Sequence, residues 1–302
     1  MSLSPSLPWR WGAQTHARAL AFALALCAPL AAGGAVPPAR ADAPGPRLAL
    51  ACAAPPAAAP PGPVVVLEPG LGVPGLSSAA LAPLADALAA AGGGRVCRSD
   101  RAGLGRSDPS PGPGGYRARV EDLRAALAGA GVPPPYVLVG QAEGGTLAQL
   151  YAGWYPQEVA GLVLVDAPVY GRTELLGQVL PPPPREEFLR AAVAAAAAEG
   201  LHGPTADAEH RALRPPKGLP VAVVSPTPGW GWPAHWSAEE VAVASNYWSE
   251  LQGYLLYLWP GATQVTARQS GHDIAGDDPG AVAAALGALR EEVARASASG
   301  GE

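Results

Sequence analysis

The chain has 302 residues, 49% hydrophobic and 15% charged, which allows one large α/β domain or two small ones around a sizeable core. Alanine supplies much of that apolar fraction, so the percentage overstates the core. With a net charge of -5 and a single lysine, Lys217, the sequence shows no basic patch for nucleic acid and no acidic run that would act as a solvating tail.

Residues 1–41 contain no Asp or Glu, carry Arg10 and Arg18, and run apolar from Ala19 to Ala32 with a break at Pro29. Ala39-Arg40-Ala41 before Asp42 is a small-x-small cleavage pattern. The apolar run is too short to span a bilayer. The segment therefore reads as a cleavable export or targeting peptide, leading to secretion, the periplasm or an organellar lumen and leaving no stable membrane span. Two cysteines follow it, Cys52 and Cys97, which are either bridged, as an exported protein permits, or two small buried hydrophobes.

Residues 43–46 and 55–63 are rich in proline and alanine and read as connectors. Val64-Val65-Val66-Leu67 is a buried strand ending in the glycine-rich turn Glu68 to Gly72. A helix follows over residues 78–91, with Ser77 or Ser78 as its cap. Val96-Cys97-Arg98 is the next strand, running into Asp100 to Ser107, and residues 117–130 form a helix. Pro135 to Val139 is a short β-branched strand, and helical spacing begins again by Leu147. Strands at 161–166 and 219–224 bracket a stretch, residues 167–218, that holds a proline run and an alanine-rich helix at 186–199 and reads as a lid. Helix 238–258, strand 263–267, a loop with Gly271-His272-Asp273 and helix 279–294 complete the chain. Strands alternating with helices at this spacing predict a mostly parallel sheet covered on both faces, in a single domain over residues 42–302.

Between the strand at 135–139 and its helix stands Gly140-Gln141-Ala142-Glu143-Gly144-Gly145. This has the form of G-x-S-x-G, the sharp strand-to-helix elbow that lifts a serine hydroxyl above a sheet, with alanine in the serine's place. Together with Val64 to Gly72, Asp100 to Ser107, Gly161 to Asp166 and Ser270-Gly271-His272, it makes residues 47–297 resemble the α/β-hydrolase superfamily, in its proline-iminopeptidase-like and esterase-like branch. The resemblance implies the α/β-hydrolase fold with a small helical lid. It implies an oxyanion hole from the backbone of Gly70 or Leu71 and of Glu143, a catalytic histidine at His272, and a nucleophile position at Ala142. The family's usual acid position reads Ser225-Pro226-Thr227-Pro228, without a carboxylate, so Asp166 is the favoured acid ahead of Asp273, Asp277 and Asp278.

Alanine cannot be activated by any base. Three functions follow. The favoured one is a non-catalytic member that binds a small, apolar or ester- or amide-like molecule, with Trp230, Trp232, Trp236, Tyr247 and Trp248 as candidate lining. A second is a hydrolase or lyase in which His272 with Asp166 acts as general base. The third is an ordinary serine hydrolase carrying a serine-to-alanine change. The five histidines have no ligand-like spacing, so neither metal nor organic cofactor is expected.

Overall fold

A computed structural model describes residues 45–53, 62–79, 81–92, 94–229 and 232–299. The expected leader at 1–41, most of the connector at 55–63 and Trp230 lie outside the described residues. Seven strands form one sheet: β1 (Leu50–Ala53), β2 (Val64–Glu68), β3 (Val96–Ser99), β4 (Tyr136–Gln141), β5 (Val159–Val165), β6 (Val221–Pro226) and β7 (Thr263–Ala267). Their order is β1-β3-β2-β4-β5-β6-β7, with β1 antiparallel to β3 and every other pair parallel.

The inner strands are runs of valine and leucine because both faces of a parallel sheet are covered. Alternation along each strand divides the core. Val65, Leu67, Val137 and Val139 point to the layer made by α1 (Leu81–Gly92) and α9 (Pro279–Ser299), with Leu84, Leu88, Val282 and Leu286 opposite them. Val66 and Leu138 point to the other layer, where α2 (Tyr116–Gly129), α3 (Glu143–Trp154) and α7 (Ala238–Leu258) contribute Val120, Leu123, Leu147, Leu150 and Leu255. Helix α7 starts at a reciprocal cap: the Ser237 hydroxyl accepts from the Glu240 amide while the Glu240 carboxylate accepts from the Ser237 amide.

Between β5 and β6 the chain forms three helices, α4 (Arg172–Val179), α5 (Pro184–Ala198) and α6 (Gly203–Arg211), of which the sequence pattern gave only the second. A single-turn α8 (Ile274–Asp277) precedes α9. Helix α1 begins at Leu81, three residues later than expected. Pro83 then falls in its first turn, where a missing N–H has no partner to lose. Cys52 and Cys97 face each other across β1 and β3 and are joined in a disulfide. Among the described residues no helix is long and apolar enough to cross a membrane.

Candidate functional site

The elbow lies at the carboxyl end of β4, in the middle of the sheet. Ala142 adopts φ 47°, ψ -120°, a region that L-residues rarely enter and that costs about 1–3 kcal/mol unless the surroundings impose it. Its amide donates to the Val165 carbonyl (2.9 Å) and its carbonyl accepts from the Gly145 amide (2.8 Å), which pins both sides of the turn. The glycines are required by contact: a side chain on Gly144 would strike the Glu68 carbonyl, and one on Gly145 would strike Ala167. The strained turn is therefore complete, and what it presents is a buried methyl group, 6% exposed.

The turn after β2 reaches the same point, since a methyl added to Gly70 would lie 3.6 Å from the Ala142 Cβ. The amide of Glu143 belongs to the first turn of α3, whose N–H groups a helix leaves unpaired. Its side chain leans toward Arg172, with 3.7 Å between carboxylate and guanidinium. Burial pushes the Glu143 carboxyl above its usual range, opposed by Arg172 and Arg101.

His272 and Asp166 come together. Asp166 follows β5 in a positive-φ conformation (45°) that aspartate tolerates better than most residues. The residue is 1% exposed, and both its carboxylate oxygens are used. Oδ2 lies 2.6 Å from His272 Nδ1, and Oδ1 accepts from the Trp248 indole at 2.5 Å. The hydrogen bond to Asp166 raises the His272 pKa above the usual imidazole value, against partial desolvation by the neighbouring protein, while 59% of the side chain stays exposed. The far edge of the ring, carrying Nε2, is left for the space beyond. The other carboxylates have different tasks: Asp273 Oδ1 accepts from the Gly276 amide, Asp278 Oδ1 from the Ala281 amide, and Asp277 faces the Ser270 hydroxyl. Gln141, next to the elbow, donates to the His272 carbonyl at 3.2 Å and to Asp273 Oδ1 at 3.4 Å, tying the histidine loop to β4.

His272 and Asp166 line a cavity of about 550 Å³ at the carboxyl ends of β5, β6 and β7, within the range of small-molecule sites. Trp232, Trp236 and Trp248 form part of its wall, as expected; Tyr247 does not, because it lies one residue round α7 from the lining face of Ser245, Trp248, Ser249 and Gln252. Neither Ala142 nor the Gly70–Leu71 turn belongs to that wall.

On the other side of the elbow the space is filled. The Arg101 guanidinium donates to the Pro69 carbonyl (2.9 Å), the Gly70 carbonyl (2.6 Å) and Glu199 (2.8 and 2.9 Å), and lies 3.5 Å from Glu68. Glu199, at the end of α5, also accepts from the Gly72 amide, so its carboxylate is docked on the turn beside Gly70 and Leu71. Desolvation raises the Glu68 pKa to about 7 despite Arg101.

A model of the alpha/beta hydrolase fold family matches residues 63–228, more than half of the sequence. The chain belongs to that family. Solved structures of the same fold include a thermophilic esterase from Thermogutta terrifontis (20% identical, 82% of this chain and 93% of that one, TM-score 0.54). Mouse alpha/beta hydrolase domain-containing protein 10 is 15% identical over 83% of this chain and 95% of its own, with a TM-score of 0.55. Among curated proteins, the uncharacterized protein C23C11.06c of Schizosaccharomyces pombe is 42% identical over 73 residues; the match spans 24% of this chain and 14% of that protein.

Within this alpha/beta hydrolase fold, the sequence pattern did not point to Arg101 or Glu199 as parts of the site, nor to the bonds by which Gln141 holds the histidine loop and the Trp248 indole holds Asp166. One signal was present: Glu199 ends a helix, where the backbone dipole disfavours an acid, so it needs a partner from elsewhere.

Proposed function

We propose that this protein is a serine-less member of the alpha/beta hydrolase fold that holds a small molecule in the cavity beside His272 and Asp166 and does not carry out serine-type hydrolysis. The observation that carries this reading is the elbow: its strained backbone and close-packed glycines are kept, yet the position above the sheet holds only the Ala142 methyl. In this reading Gly70, Leu71 and Glu143 keep the backbone of an oxyanion hole, Asp166 is the acid that orients His272, and residues 167–218 serve as the lid. The filled turn beside Gly72 adds support, since a docked Glu199 carboxylate disfavours a developing oxyanion there. Export through a leader at residues 1–41 completes the proposal and suits a chain with a disulfide.

A second reading has an observation of its own. His272 is held by Asp166 at 2.6 Å with the rest of the ring toward the cavity, the arrangement of a general base. Hydrolysis of short and medium p-nitrophenyl esters, with Ala142→Ser and His272→Ala beside the unmodified protein, separates the readings. Under the proposal the unmodified protein stays at the buffer rate, as expected when loss of a triad nucleophile costs on the order of a millionfold. Turnover by the unmodified protein that disappears in His272→Ala would establish the general base. Efficient turnover by Ala142→Ser alone would identify a serine hydrolase silenced at one atom.

A further inference from the structure

The cavity wall has two characters. Its outer part is flat and apolar, built on the stacked rings of Trp232 and Trp236 (5.5 Å between centroids, 18° between planes) with Phe188 and Leu176. Its inner part is polar, and there Asp166 is already saturated by Trp248 and His272, so the buried carboxylate calls for no cation from outside. Arg172 is less well served. Its nearest carboxylate, Glu143, is 3.7 Å away, beyond hydrogen-bond distance, and its guanidinium stands 5.9 Å from the Trp248 ring. Among the described residues the inner end thus carries a His–Asp pair and a guanidinium, that of Arg172, without a side-chain hydrogen bond. In the same wall, Ser245 is 5% exposed and its hydroxyl has no hydrogen-bond partner among the described residues. A buried hydroxyl without a partner is unfavourable unless something else supplies one. Glu187, the other acid in the wall, is turned to His235 and the Trp236 indole at the rim.

We infer that the ligand is an aromatic monocarboxylate, its ring system against the tryptophan wall and its carboxylate taken by Arg172 and the Ser245 hydroxyl. A guanidinium reads a planar carboxylate through paired donors, and the flat wall favours a flat body. The inference rests on the reading of this cavity as a ligand site, and its test separates the two. Calorimetric titration of the whole protein with 2-naphthoate and with the neutral isostere 2-naphthamide is expected to show the acid bound at least tenfold more tightly, by a margin that shrinks in added salt. Arg172→Met should remove that margin and leave amide binding in place. Because Arg172 also faces Glu143, Ser245→Ala is the second variant. It should weaken naphthoate about tenfold, the effect of losing one hydrogen bond to a charged group. Equal affinity for acid and amide, or a margin that survives both substitutions, would overturn the carboxylate assignment while leaving the cavity as a ligand site. Failure of both compounds to bind at millimolar concentration would overturn the ligand-site reading with it.

Discussion

The two sides of the elbow solve opposite problems with the same sheet edge. Over β2 and β3 the space is closed by charge: Arg101 lies among Glu68, Glu199 and the carbonyls of Pro69 and Gly70, and a cavity of only about 10 Å³ remains. Over β5 to β7 it is open, about 550 Å³, and its one buried carboxylate is fully hydrogen-bonded. Buried charge needs partners from several elements at once, which fixes a wall, whereas aromatic and proline surfaces can line empty space without leaving polar groups unpaired. The open side is the one proposed to hold a ligand, and the closed side ties the end of α5 to the turn after β2.

The largest expected effect breaks the closed side. Arg101→Met leaves Glu68 buried without its cation and Glu199 with only Arg119, 3.8 Å away, and removal of one partner from a buried pair costs about 3–5 kcal/mol. Urea unfolding should show a loss of that size. A loss below about 1 kcal/mol would mean that water already reaches the network and that the wall is not held by charge. Since Glu199 is the residue through which α5 meets the Gly72 turn, proteolysis within residues 181–202 should also accelerate.

Trp248→Phe sharpens the open side. It keeps the apolar bulk and removes the indole donor to Asp166 Oδ1, a hydrogen bond to a charged group with a typical value of about 1.5–3 kcal/mol. NMR titration of His272 should register the altered partner. A stability change near zero would show that Asp166 does not depend on Trp248.

Acid tests the insert. His210, on α6 between the Tyr116 and Tyr170 rings, has its pKa lowered by burial from 6.5 to about 3, with Arg172 adding to the shift. Its folded pKa is depressed, so between those values the unfolded chain binds a proton that the folded chain refuses, and stability falls as pH drops from 6.5 toward 3. One such proton changes stability by about 1.4 kcal/mol per pH unit. Glu68, raised from 4.5 to about 7, acts oppositely: its contribution is complete below pH 4.5 and fades as pH rises through 7. His210→Phe should therefore lose less stability than the parent between pH 6 and pH 5. A parallel decline in the two proteins would mean that the ring is protonated in the folded state.

Much of the fold was legible because it depends on local pattern. Central strands of valine and leucine and the glycines around Ala142 each declare themselves within a few residues, whereas the Ser237–Glu240 cap was not read from the pattern. Asp166 came from the resemblance, which offers the end of β5 as an alternative acid position, and the structure sets it 2.6 Å from His272. What stayed hidden depends on contacts across long sequence distances. Arg101 meets Glu199 98 residues away, and Gln141 meets His272 131 residues away, and no spacing rule encodes such pairs. Helices α4 and α6 escaped notice because they are short, eight and nine residues, and α6 carries no large apolar side chain, so neither shows a sustained apolar period and packing makes them helical.

Gln141 is where the two sides meet, and its substitution has the smallest expected effect. It stands on β4 directly before the elbow, yet its amide reaches across to the His272 carbonyl and Asp273. Both bonds are long, so Gln141→Leu should cost only about 0.5–1.5 kcal/mol, the range of one ordinary neutral hydrogen bond. The informative readout is local. If Gln141 holds the histidine loop against the elbow, amide exchange at residues 271–276 should quicken while the core strands stay protected. Unchanged exchange there would assign the placement of His272 to Asp166 alone, and the open side would then owe nothing to the elbow beside it.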